Sequence, residues 1–143
     1  MSAPLVTVDV EGAVRTWLRT VPQVASLVDT RVFFQIPPET AWPILTLQEV
    51  GGSIDEYVPT QSSLLQIDCW GSPHPTPGKT NKSESKEVCL AVCNALRALN
   101  SGTALNDEVV ALGALILSAP WVPDPASNQA RYSITAEVFA KPA

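Results

Sequence analysis

Ser63-Leu-Leu-Gln-Ile-Asp-Cys-Trp-Gly71 alternates. Leu65, Ile67 and Cys69 share one side, and Leu64, Gln66, Asp68 and Trp70 the other. A side-chain period of two is the signature of a β-strand. One side is wholly apolar and the other mixed. That predicts a sheet strand with one face against a core. The opposite face, with Gln66, Asp68 and Trp70, has no assigned helix to cover it.

Upstream, Ile44–Val50 reads as a second strand. Ile44, Thr46, Gln48 and Val50 lie on one side, with Leu45, Leu47 and Glu49 on the other. Gly51-Gly52 is expected to end it. Ser53 to Gln61 is a polar connection carrying Asp55, Glu56 and Tyr57 near its tip, closing a hairpin. Arg31–Ile36 is rich in aromatic and β-branched residues and predicts a short strand. A proline-bracketed loop with Trp42 follows it. Asp9 is placed to cap a helix over Val10–Thr20. Val10, Ala13, Val14, Trp17, Leu18 and Val21 keep helical spacing there, with Arg15 and Arg19 on the opposite side. Pro22 interrupts, and Gln23–Val28 reads as a further helical turn or two.

Downstream, Gly71 to Lys82 contains Pro73, Pro75, Pro77, Gly78, Lys79 and the single histidine, His74. This composition predicts an exposed, mobile loop. Asn81 with Glu84 resembles a capping box for a helix over Lys82–Leu99. Val88, Val92, Ala95, Leu96 and Leu99 form its stripe, and Asn100-Ser-Gly102 its stop. Glu108–Ser118 is apolar on both parities and reads as a strand, with an apolar helix as the alternative. A turn follows with Pro120, Trp121, Pro123, Asp124 and Pro125, and Arg131–Phe139 alternates as the last strand. The order is α-β-β-β-α-β-β. Hairpin-length links predict an α+β fold, a small mostly antiparallel sheet flanked by two main helices. The expected organisation is one domain over 1–143, with flexible loops near 52–61 and 71–82.

Charged residues make up only 16% of the chain, against roughly a quarter in an average protein. Much of the surface is therefore neutral, as suits a protein partly covered by partners. The net charge of −5 argues against a broad nucleic-acid footprint, which needs a basic face. Three cysteines without a secretory leader argue against a disulfide framework and for folding in a reducing cytoplasm. The segment Met1–Val10 has no basic n-region, and no run is long enough to span a membrane.

No reaction centre stands out. Cys89 and Cys93 are one helical turn apart, but two sulfurs with one distant histidine do not make a zinc site. Packing as small apolar side chains is the favoured reading for both, and for Cys69. His74 has no nucleophile motif near it. Asp55, Glu56 and Asp124 are solvated loop residues by default. Gly51-Gly52 lacks the phosphate-loop pattern. No cofactor, metal or catalytic residue is expected. Trp17 sits on a core stripe. Trp42 and Trp121 sit beside prolines, either as interface anchors or packed over the sheet ends.

Several segments, in this order, resemble one family: Val28-Asp-Thr-Arg-Val32 before prolines, Gln66-Ile-Asp-Cys-Trp70 before a Ser-led helix, and Pro123-Asp124 before Arg131-Tyr132. In that order they look like the tail terminator, or tail completion, proteins of long-tailed bacteriophages, a resemblance that covers roughly Val10 to Phe139. The resemblance implies a structural virion protein of the tail and neck, assembled in the host cytoplasm. It implies a homo-oligomer, a hexameric ring on the head-proximal end of the tail tube. Its partners would be the tail tube protein and a head-side stopper or connector. DNA would pass through the lumen without specific binding, and no membrane is involved. The partner-contact candidates are Trp42, Asp55, Glu56, Tyr57, Asp68, Trp70, His74, Lys79 and Trp121. Another neck component is the near alternative, and a small ligand-binding or enzyme domain a more distant one.

Overall fold

In the computed structural model, which describes residues 6–143, the stretch quoted first lies in a strand near the middle of a six-stranded sheet. The elements are α1 (Val10–Leu18), α2 (Pro22–Val28), β1 (Val32–Phe33), β2 (Ile44–Ile54), β3 (Gln61–Trp70), α3 (Lys82–Arg97), β4 (Thr103–Ala104), β5 (Val109–Ser118) and β6 (Arg131–Pro142). Across the sheet the order is β1-β2-β3-β6-β5-β4. β1 runs parallel to β2, and the other pairings are antiparallel. The fold is α+β with a mostly antiparallel sheet. The expected order lacked two elements. α2 is a separate helix because Pro22 at its first turn starts it afresh. β4 is too short to show a period. Part of the leader reading falls on residues 1–5, which lie outside the described residues.

The core forms on the apolar side of β3. Leu65, Ile67 and Cys69 are fully buried. They share one cluster with Leu45 and Leu47 of β2, Ile134 and Ala136 of β6, Val14 and Leu18 of α1, Val28 of α2 and Val92 and Leu96 of α3. Asp9 caps α1 as expected, its Oδ1 accepting from Gly12 N at 3.0 Å.

Three local expectations are corrected. Gly51-Gly52 does not end β2, which runs on to Ile54. The ladder slips by one residue between Glu49 and Gly51, and Gly52 takes φ 134°. A Cβ on Gly52 would lie 2.3 Å from Ser62 O, so the glycine lets the two strands stay in register past the bulge. The loop expected over 52–61 therefore shrinks to the six residues between Ile54 and Gln61. The capping box does not form either. Asn81 Nδ2 donates to Ser72 O (2.8 Å) and Glu84 accepts from Ser72 N, so both side chains close the loop rather than the helix.

The outermost strands are two residues long and cover only Leu45–Thr46 of β2 and Val110–Ala111 of β5, so the rest of β2 and of β5 is open edge. Arg31 O accepts from Leu45 N of β2, so Val32 O points outward. Arg15 Nε and Arg19 Nη2 each donate to it at 2.9 Å. These two arginines, expected only as a polar helix face, thus close the β1 edge.

Candidate assembly surfaces

The β2–β3 ladder runs from Ile44↔Trp70 to Ile54↔Gln61. Ile44–Leu47 are buried, whereas every residue from Gln48 to Pro59 is exposed. The second half of β2 and the tip are therefore exposed, while the β3 residues opposite them stay paired with β6, and Ser63 and Leu65 there are fully buried. At the hairpin tip, Asp55 Oδ1 accepts from the backbone N–H groups of Tyr57 (2.7 Å) and Val58 (3.0 Å). This Asx turn fixes the tip without help from other elements. It presents Glu56 and Tyr57 outward, with Tyr57 86% exposed. Asp55, Glu56 and Tyr57, three of the expected contact residues, thus sit together.

The face of the sheet away from the helices carries Gln66, Asp68 and Trp70, and here the structure differs from expectation. Trp70 is only 6% exposed. Its indole N–H donates to Thr46 Oγ1 (3.0 Å), and the Arg131 guanidinium lies 5.0 Å from its ring centroid. Arg131 Nη1 also approaches Asp68 Oδ2 at 3.8 Å, and Gln66 Nε2 donates to the same carboxylate (3.2 Å). Asp68 is therefore matched locally by a cation, and Trp70 is covered by its own chain. The cause is register: Arg131 stands opposite Trp70 in the β3–β6 ladder. That pairing is invisible in a single sequence. Nearer the hairpin end, Phe139 and Leu115 stand partly exposed.

The segment between β3 and α3 is closed at its base. Besides Asn81 and Glu84 on Ser72, Gln129 Nε2 donates to Gly71 O (2.6 Å). His74 Nδ1 accepts from Thr76 N (3.0 Å); His74 is half-buried and Lys79 exposed. Trp121 is half-buried over the end of the sheet. Its ring lies 5.2 Å from that of Tyr132, with Lys82 Nζ 4.7 Å from its centroid. Trp42, also half-buried, sits just before β2. The nine expected residues thus fall at several separate places: the hairpin tip, the sheet face, the loop near His74, the start of α3, and the approach to β2. The contribution of Arg15, Arg19 and Arg131 was missed.

Cys89 of α3 meets Cys69 of β3 in the core, and the half-buried Cys93 lies one turn on beside Cys89. The hydrogen bond with the Cys69 sulfur, and then burial, push the Cys89 thiol up to about 12; the bond with Cys89, and burial, push Cys93 up as well. Such thiols are poor nucleophiles. At pH 8 a thiol reagent should label Cys89 slowly in the native chain and all three cysteines quickly in denaturant. Because the folded-state value of Cys89 lies above the unfolded one, its share of stability is fully present below the unfolded pKa. It is lost as pH rises towards 12. Among the described residues no group of His, Cys, Asp and Glu is arranged to hold a metal, and no helix is long and apolar enough to cross a membrane.

A surface built of an exposed strand and hairpin tip beside an uncovered sheet face is suited to assembly. The model of the family described as "Tail completion protein gp17" matches residues 12–127. The chain belongs to that family. It is therefore a structural protein of the phage tail, located in the virion, as the resemblance implied. A chain of the solved structure titled "Virion of native gene transfer agent (GTA) particle" has the same fold. It superposes with a TM-score of 0.65 at 20% identity, covering 92% of this chain and 94% of that one. No curated protein matches the sequence.

Proposed function

We propose that this chain is a tail terminator. Copies of it form a ring, expected to be a hexamer, on the head-proximal end of the tail tube in a siphovirus-like particle. The ring stops addition of tube subunits and offers the docking surface for the head-side stopper or connector. Family membership supports the setting. The observation that carries the reading is the exposed second half of β2 with the hairpin tip. Ile54, Tyr57 and Val58 stand 61%, 86% and 46% exposed there, more apolar surface than an isolated arm should leave in water. A ring needs a heterologous contact, one patch on a different patch of the neighbour, and an arm supplies one half of it. With a net charge of −5, the chain lets DNA pass the lumen without a basic footprint to hold it.

The test is deletion of the gene, followed by negative-stain microscopy of lysates. Overlong tubes without heads are the expected outcome. Tubes of normal length beside filled heads that leak DNA would instead make the chain a stopper or adaptor.

A second variant probes the loop. Since Asn81, Glu84 and Gln129 close its base, removing Pro73–Lys79 should leave the melting temperature almost unchanged. The same deletion should prevent tails from joining heads. Joined particles with normal tails would show that the loop has no part in assembly.

A further inference from the structure

Every copy carries two complementary surfaces that it cannot bring together itself. The first is the hairpin tip, where Glu56 makes no ion pair among the described residues and Tyr57 has no cover. The second lies beside β1. Arg15 and Arg19 converge there on Val32 O with no carboxylate in ion-pair range among the described residues. Arg19 Nε is buried and has no hydrogen-bond partner. The pair therefore carries uncompensated positive charge, and burial and the neighbouring Arg15 lower the pKa of Arg19. The Arg15 guanidinium lies 4.7 Å from the Phe34 ring centroid, and Phe34 and Ile36 are 38% and 42% exposed. This socket is therefore cationic with an apolar rim, and the tip is acidic with an apolar rim.

Val32 pairs with Leu45 at the start of β2, while the tip follows Ile54 at its end. At about 3.3 Å per residue that separation is roughly 30 Å. The tip of one copy therefore cannot reach its own socket. We infer that the hairpin tip of each copy seats on the Arg15–Arg19–Phe34 socket of the next, with Glu56 against the guanidiniums and Tyr57 against Phe34 and Ile36. The contact joins two different patches, so it propagates head to tail, as the ring proposed above requires. This inference rests on the ring proposed above and specifies its interface.

The experiment is sedimentation velocity of the purified chain over a range of concentrations, with melting curves for every variant. Glu56→Arg lies on an exposed turn and should fold normally. Arg15→Glu leaves Arg19 on Val32 O and should also fold. Each single variant should raise the concentration needed for assembly by at least about tenfold, the effect expected of losing one well-placed ion pair. The double variant Glu56→Arg/Arg15→Glu should assemble again. An equimolar mixture of the two single variants should assemble again with the variants alternating, because each tip then finds a socket of opposite charge only on the other variant.

If Arg15→Glu melts early, Glu56→Arg with Tyr57→Ser decides the matter alone. Wild-type rings together with unimpaired assembly of Glu56→Arg would overturn this contact and leave the ring reading standing. A wild-type chain that forms no ring at any concentration, alone or with tail tubes present, would overturn both.

Discussion

Ile67→Ala should destabilise the protein by about 3 kcal/mol, lowering its melting temperature by roughly 10 °C. Ile67 is fully buried on the core side of β3. Its neighbours in register are Leu47 on β2 and Ile134 on β6, both also fully buried. Removing its side chain loses the transfer free energy of three carbons. It also leaves a cavity between rigid strands that cannot close around it. Gln66→Ala, one residue away on the uncovered face, should change stability by no more than about 0.5 kcal/mol. Urea denaturation of the two variants measures the contrast. Equal effects would mean that β3 does not divide a core from an open face.

The second large effect falls on assembly and leaves the fold intact. Replacing Asp55–Thr60 by Asn-Gly joins Ile54 to Gln61 through a two-residue turn, the loop length that suits residues directly opposite in a ladder. The segment removed is almost wholly exposed and bonds chiefly within itself. Gln61, whose side chain ties Val8 to β3 by two 3.0 Å hydrogen bonds, is retained. The melting temperature should stay within a few degrees of wild type. Particles should fail to form joined heads and tails, because the arm that reaches the next copy is gone. Normal yields of joined particles from the truncated chain would remove the hairpin from the assembly account.

Much of this fold was legible because its strands alternate. Leu65, Ile67 and Cys69 face the core as their spacing required, as do Tyr132, Ile134, Ala136 and Val138 of β6. A period of two reports a half-buried strand directly. Register is what a single sequence does not report. Arg131 covers Trp70 and pairs with Asp68 across a ladder joining residues more than sixty positions apart, so two residues expected in water are largely satisfied by their own chain. Glycines misled locally for a related reason. Gly51-Gly52 looks like a stop, but beside a bulge Gly52 is what lets the strand continue. Asn81 and Glu84 have capping spacing, yet Ser72 lies close enough to capture both side chains.

The candidate surfaces were partly legible for the same physical reasons. Asp55, Glu56 and Tyr57 were identifiable as a polar tip between two strands, and the tip is where they are found. Arg15 and Arg19 looked like an ordinary solvated helix face. Their convergence on Val32 O depends on how α1 lies across the β1 edge, which helical spacing alone does not specify.

The most direct measurement of the central claim is tube length in vitro. The particle's own tail tube protein is polymerised with and without this chain added in small amounts, and lengths are read by electron microscopy. Termination predicts shorter tubes as more chain is added, with a ring visible at one end of each. Tubes of unchanged length and bare at both ends, at every ratio, would contradict it.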